Sequence, residues 1–199
     1  MLSVTDLLTL ERKPKMSHLS LLTIQQFYKE HLCGRRFIYS TDDPHRPTIR
    51  LRFKEEELCH LLGFQHIFEK QRFGSTYIGE SGYNLMRSGE LTFDFIKETN
   101  EEGLKQYENR MLFFPFVHQI LKNPDSVIFD PKCVPFKTKL QADLIFYNEQ
   151  NRRYLHLFLD HYKKRPGNYF PRSFFDRRDN KLLVGQAPVT VTKTDIILD

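Results

Sequence analysis

The sequence predicts an α+β fold in which N-terminal helices pack on a mainly antiparallel C-terminal sheet. Three observations carry that expectation. Up to about residue 124 apolar residues recur mostly at helical spacing, interrupted by one hairpin-like stretch. After Asp125 the chain turns into short alternating segments separated by turn residues. The 199 residues are 40% hydrophobic, with 18 Phe and 9 Tyr, which is enough apolar material for one interior. Residues 1–199 are therefore expected to form a single domain. Within it, 1–16 is an N-terminal extension, 17–124 is mainly helical with an early hairpin, and 125–199 is strand-rich.

The elements follow in order. In "MSHLSLLTIQQFYKEHLCG", Leu19, Leu22, Phe27 and Leu32 form an apolar face, and Gly34 offers a stop. "RFIYS" and "TIRLRF" read as strands around the turn residues "DDPHRP". "KEEELCHLLGF" gives a short helix from Glu55 to Leu62, with acids at the positive end of its dipole and Gly63 ending it. Two further helical stretches follow, interrupted by Gly89, Gly103 and Pro115. Then come "SVIFD", "KLQADLIFYNE", "RRYLHLFLDH", "NYFPRSFF" and "VTVTKTDIIL" as strands. Helices first and a meander afterwards is the α+β order.

Composition narrows the function. Mean hydropathy is -0.52 and no run reaches membrane-spanning length, so no membrane role is expected. The start "MLSVTDLLTLERKPK" lacks the layout of a secretory signal, so a cytoplasmic location is expected. Cys33, Cys59 and Cys133 have no metal or redox spacing and read as reduced, small hydrophobic side chains. The eight histidines are scattered without HxH or HExxH, so no metal is expected. GxSxG, GxxxxGK[ST] and GxGxxG are all absent, which disfavours elbow-type hydrolysis and nucleotide-driven chemistry, and no cofactor is expected. Net charge is +5, and one tract is markedly basic: from His161 to Lys181, Lys163, Lys164, Arg165, Arg172, Arg177, Arg178 and Lys181 face only Asp176 and Asp179. Basic residues interleaved with Tyr162, Tyr169, Phe170, Phe174 and Phe175 suit a phosphate backbone and stacked bases, or simply a solvated basic loop.

Strand alternation places the candidate side chains. It sets Lys139, Gln141 and Asp143 on one face and Leu140, Ala142 and Leu144 on the other. It groups Tyr154, His156 and Phe158 against Leu155, Leu157 and Leu159, so that His156 shares the polar face with Lys139. In "NYFPRSFF" it sends Phe170 and Phe174 to the core and Tyr169, Pro171, Ser173 and Phe175 outward. Arg172 then falls on the core side unless Pro171 breaks the pattern. His60, flanked by Leu58, Leu61 and Leu62, is either a structural histidine or one able to titrate near neutral pH at a helix end.

Three stretches, "LRFKEEELCHLLGF", "KTKLQADLIFYNEQNRRYLHLFL" and "YFPRSFFDRRDNKLLVGQAPVTVTKTDIIL", occur in an order that resembles the phage-associated branch of the barnase, EndoU, colicin and RelE nuclease superfamily, its fourth group. The resemblance runs from about Ser17 onward. It implies a BECR-type fold, RelE-like, and a metal-independent endoribonuclease of a phage, plasmid or other mobile element. RNA, such as tRNA or mRNA, would be the substrate, and a cognate antitoxin or immunity factor a further partner. Such an enzyme needs a base for the 2′-hydroxyl, a cation for the phosphorane and an acid for the 5′-oxygen. His60, Lys139, His156, Tyr169 and Ser173 are the catalytic candidates. Arg110, Asp143, Lys163, Lys164, Arg165, Arg172 and Gln186 are the substrate-binding candidates. The alternative is a non-catalytic RNA-binding or partner-binding module of the same fold.

Overall fold

Contacts in the computed structural model, which describes residues 1–198, divide between two units. One comprises Met1–Cys33 and Lys54–Phe116, the other Gly34–Phe53 and the chain from Val117 onward.

The first unit is helical, and polar caps fix where its first two α-helices begin. Ser3 and Asp6 form a capping box for α1 (Val4–Leu8). Ser20 caps α2 (Leu21–His31), which buries Leu21, Ile24, Phe27 and Tyr28. The first residues, expected as an extension, are tied in: Leu7 is fully buried, Leu2 N–H donates to the His18 carbonyl at 2.7 Å and Lys13 Nζ to Asn109 Oδ1 at 2.7 Å. Next come α3 (Leu58–Leu62) and α4 (Phe64–Phe68), hinged at Gly63. Gly63 has φ +87°, and a Cβ there would lie 2.8 Å from Tyr107 Cδ1, so only glycine fits. α5 (Gly79–Ser88) ends at left-handed Gly89, as the sequence suggests. α6 (Phe93–Phe113) breaks at Asn100 rather than at Gly103. The Asn100 amide donates to the Ile67 carbonyl and accepts from Gly103 N–H, and the missing Cβ of Gly103 leaves room for it.

The second unit is an eight-stranded sheet with α7 (Val117–Lys122). Its strands are β1 (Arg35–Thr41), β2 (Thr48–Arg52), β3 (Asp125–Ile128), β4 (Leu144–Gln150), β5 (Arg153–His161), β6 (Asn168–Arg177), β7 (Ala187–Pro188) and β8 (Val191–Leu198). The order is β7-β3-β4-β5-β6-β2-β1-β8, antiparallel except for the β2–β6 pair. The architecture is thus α+β, as expected. The early hairpin, however, sits inside the C-terminal sheet, between β6 and β8.

By register, one sheet face carries Phe37, Tyr39, Ile49, Leu51, Phe146, Leu157, Leu159 and Phe174, all buried. Tyr39 meets Phe146 edge-on at 4.9 Å between ring centroids, and its hydroxyl donates to the Leu121 carbonyl of α7. On the other face Val127, Ile145 and Phe158 form a second core with Phe129, Val134 and Leu182, against which Leu140, Ala142 and Leu183 pack. β5 is therefore covered on both sides, which is why "LHLFL" is buried throughout.

Two strand expectations are corrected here. Residues 137–142 are not a strand: β4 starts at Leu144, and the preceding segment crosses the second face with Leu140 and Ala142 turned inward. The alternation in "KLQAD" records inward and outward side chains of a covering loop. In β6 the register slips between Phe158 and Leu159: Ser173 pairs with Phe158 and Pro171 with Leu159, leaving Arg172 as an extra, exposed residue. This bulge reverses the phase, so Tyr169 and Pro171 share the face of Phe174, while Ser173 and Phe175 take the other.

Candidate active site

The end of β1, the start of β2, the start of β6, the end of β5 and the start of β4 meet at one end of the sheet. The turn between β1 and β2 is closed on itself. Asp43 Oδ1 accepts from His45 N–H at 2.9 Å, Arg46 N–H donates to the Asp43 carbonyl, and Thr41 Oγ1 donates to the Arg46 carbonyl at 2.6 Å. This closure turns the Arg46 guanidinium toward the start of β4. There Nε donates to Asp143 Oδ2 at 2.8 Å, Nη2 to Asp143 Oδ1 at 2.5 Å and Nη1 to Asp43 Oδ2 at 2.9 Å. Tyr169, at the start of β6, donates its hydroxyl to Asp143 Oδ2 at 2.8 Å. His161 pairs with Tyr169 in the β5–β6 register, and its Nδ1 lies 4.0 Å from Asp143 Oδ2 and 3.7 Å from Asp160 Oδ1.

The electrostatics define which protons are held. Burial alone would raise the Asp143 carboxyl, but hydrogen bonds from Arg46 and Tyr169 outweigh it and the group is lowered below the usual range. Burial, then the Asp143 hydrogen bond, raises the Tyr169 phenol. The Arg46 guanidinium is raised, chiefly by its bond to Asp143. Near neutral pH the set is a carboxylate holding an arginine cation and a protonated phenol. The His161 side chain is 46% exposed, against 14% for Asp143, so it is the part of the cluster that a ligand meets first.

Cations surround this end of the sheet. Lys163, Lys164 and Arg165 are exposed on the β5–β6 turn, which closes through Tyr162, Arg165 and Asn168 backbone hydrogen bonds. The carbonyl of Gly167, at φ +74°, accepts from Arg50 N–H at 2.8 Å, and a Cβ there would come within 3.1 Å of Arg50 Nη1. Tyr162 and Phe170 rings lie 4.9 Å apart beside them. Among the described residues no three His, Cys, Asp or Glu side chains cluster in a way that could hold a metal ion.

The sequence candidates distribute unevenly. Asp143, Tyr169, Lys163, Lys164 and Arg165 lie at this sheet end. Lys139 is exposed in the loop before Asp143, and Ser173 is half-buried on the opposite face, beyond the bulge. Arg172 reaches the surface through that bulge. Three assignments are corrected. His156 is fully buried among Tyr154, Phe158 and Phe175, neither ring nitrogen makes a well-formed hydrogen bond, and burial pushes its pKa down to about 4, so it is a neutral core residue. Arg110 is buried in the helical unit, where Nε donates to the Leu61 carbonyl at 2.6 Å and Nη2 to the His60 carbonyl at 2.9 Å. It caps the end of α3 instead of clamping phosphate. Gln186 is buried and uses both ends of its amide on the Asp130 backbone. His60 belongs to the helical unit with its side chain exposed between buried leucines.

Arg46 and His161 were missing from the sequence candidates. Arg46 sits among turn residues, and nothing local announces a partner 97 positions away. His161 carried a readable signal: it continues the face of Leu157 and Leu159 past the end of the buried run.

Helices joined to a mostly antiparallel eight-stranded sheet are the α+β architecture of BECR-type nucleases. The chain belongs to the family described as phage-Barnase-EndoU-ColicinE5/D-RelE like nuclease 4, whose profile it matches over residues 20–192. No curated protein and no solved structure gives a significant match.

Proposed function

We propose that the protein is a metal-independent endoribonuclease, a toxin or nuclease domain of a phage, plasmid or other mobile element. The observation that carries this reading is the Arg46, Asp143, Tyr169 and His161 cluster, open at His161 and ringed by Lys163, Lys164 and Arg165. An imidazole can take a proton near neutral pH. His161 takes the proton of the 2′-hydroxyl, and the 2′-oxygen attacks phosphorus. Arg46 neutralises the phosphorane charge with its planar donors. The bond to the 5′-oxygen then breaks, and Tyr169, held protonated, supplies the proton to that oxygen. Asp143 fixes the arginine and phenol before substrate arrives. The products are a 2′,3′-cyclic phosphate and a free 5′-hydroxyl.

Lys163, Lys164 and Arg165 position the backbone without reading sequence. Lys139 and Arg172 serve as outer phosphate contacts. A cognate antitoxin or immunity factor fits the toxin reading.

A second reading has its own observation: Arg46 gives Nε and Nη2 to Asp143 and Nη1 to Asp43, so its donors are turned to carboxylates, while exposed Lys163, Lys164 and Arg165 would still hold an RNA backbone without cutting it. Incubating purified protein with labelled RNA and DNA of one sequence in EDTA separates the two. The proposal expects cleaved RNA with cyclic-phosphate ends and intact DNA. Bound but intact RNA supports the binding module, and DNA cut as fast as RNA contradicts attack by a 2′-hydroxyl.

A further inference from the structure

The two edges of the sheet are unlike. At one edge stands β7, two residues long and ending in Pro188, which has no N–H to offer, so little strand addition is possible there. At the other stands β8, eight residues that pair with β1 along one side. Alternate N–H and C=O groups of its other side point away from β1, as on any edge strand. Its side chains add to this: Ile196 is 42%, Ile197 43% and Leu198 75% exposed, which is unusual for neighbouring aliphatics on a paired strand.

The charges on β8 choose the partner. A lysine on an edge ordinarily deters pairing with a foreign strand. Here Lys193 and Asp195 stand on the same face two positions apart, 2.8 Å between Nζ and Oδ2. If a second β8 lies antiparallel about a two-fold axis through Thr194, each Lys193 falls opposite the other copy's Asp195. Thr194 falls opposite itself, and Ile197 opposite Val191. No other antiparallel register of β8 on itself brings its lysine opposite its aspartate. Opposite charges directly across a pair stabilise it, and like charges oppose it.

We propose that β8 is a self-pairing edge: two copies of this chain join β8 to β8 antiparallel about Thr194, continuing one sheet through both molecules. The interface is isologous, as a two-fold requires. One strand pair is smaller than an obligate interface, so the dimer forms reversibly with concentration. The proposal does not rest on the nuclease reading: β8 begins beside Thr41, next to the turn that carries Arg46, but the pairing uses only its outer edge and is read as association, not as cleavage.

Sedimentation equilibrium across the micromolar range tests it, with Lys193→Asp, Asp195→Lys and the double exchange. The wild type is expected to dimerise, each single variant to weaken the dimer roughly tenfold by opposing like charges twice, and the double exchange to restore it. In a Cys133→Ser background, Thr194→Cys should give a dimer with a short bis-maleimide cross-linker. Thr192→Cys, four positions out of register with its own copy, should not. Far-ultraviolet circular dichroism confirms that each variant is folded. A chain that stays monomeric throughout, or a dimer indifferent to charge reversal, overturns the proposal.

Discussion

Asp143 accepts three side-chain hydrogen bonds, two from Arg46 and one from Tyr169, and so joins a cation to a proton donor at the sheet end. His156 is its opposite: an imidazole with both faces covered, pushed to about 4 by burial. The folded pKa lies below the ordinary 6.5, so the unfolded chain binds the extra proton between those values. Stability contributed by the neutral ring is therefore complete above pH 6.5 and is lost as pH falls toward 4, at about 1.4 kcal/mol per unit where the two states differ by one proton. Glu57, raised to about 7 by burial, works in the other direction. Its effect cancels when wild type and His156→Phe are compared at each pH. Urea denaturation is expected to show His156→Phe gaining on wild type from pH 7 to pH 5. A constant difference over that range would mean that His156 is not held neutral in the fold. His161→Ala, by contrast, should leave stability near wild type and lower cleavage by about 100-fold or more.

At the scale of elements, the short helix α3 depends on groups distant in sequence. Arg110 supplies the donors its last carbonyls lack, and Gly63 gives the left-handed turn that lets Tyr107 and Arg110 approach. Arg110→Ala should therefore cost about 2 kcal/mol or more, since buried acceptors lose a charged donor, while RNA affinity per folded molecule stays unchanged. Weaker RNA binding with unchanged thermal stability would restore Arg110 as a phosphate clamp. Much of the element order was legible because its causes are local: Leu19, Leu22, Phe27 and Leu32 at helical spacing, Gly63 and Gly89 after apolar stretches, and alternating aromatics after Asp125. The errors share one physical origin. Alternation reports which side chains point together but not what covers them, so "KLQAD" looked like a strand and the face of His156 looked polar. The bulge at Arg172 depends on pairing with β5, which no window of β6 contains. Tyr169 and Asp143 were recognisable as polar residues beside apolar runs. Arg46 was not, because its role exists only once β1, β2 and β4 are side by side.

For the whole molecule, the uneven charge matters more than the net +5. If Lys163, Lys164 and Arg165 follow a phosphate backbone, the log of RNA affinity should fall with log salt at roughly 0.7 per contact. Replacing all three by alanine should flatten that slope by about 2 and leave the rate of bound substrate within a few-fold. Filter binding at several salt concentrations measures the slope. An unchanged slope would move the backbone contact elsewhere. Among the described residues no helix is long and apolar enough to cross a membrane, so the basic end has no spanning helix beside it. In the mechanism proposed above, Arg46, held by Asp143, stabilises the charge that develops on a phosphate of RNA. The most direct test of that role is the single-turnover cleavage rate of saturating labelled RNA in EDTA, for wild type and for Arg46→Ala confirmed folded by its near-ultraviolet spectrum. Cleavage is expected from the wild type, with a fall of about 100-fold or more in the variant; an equal rate in folded Arg46→Ala would contradict a role for the guanidinium in the transition state.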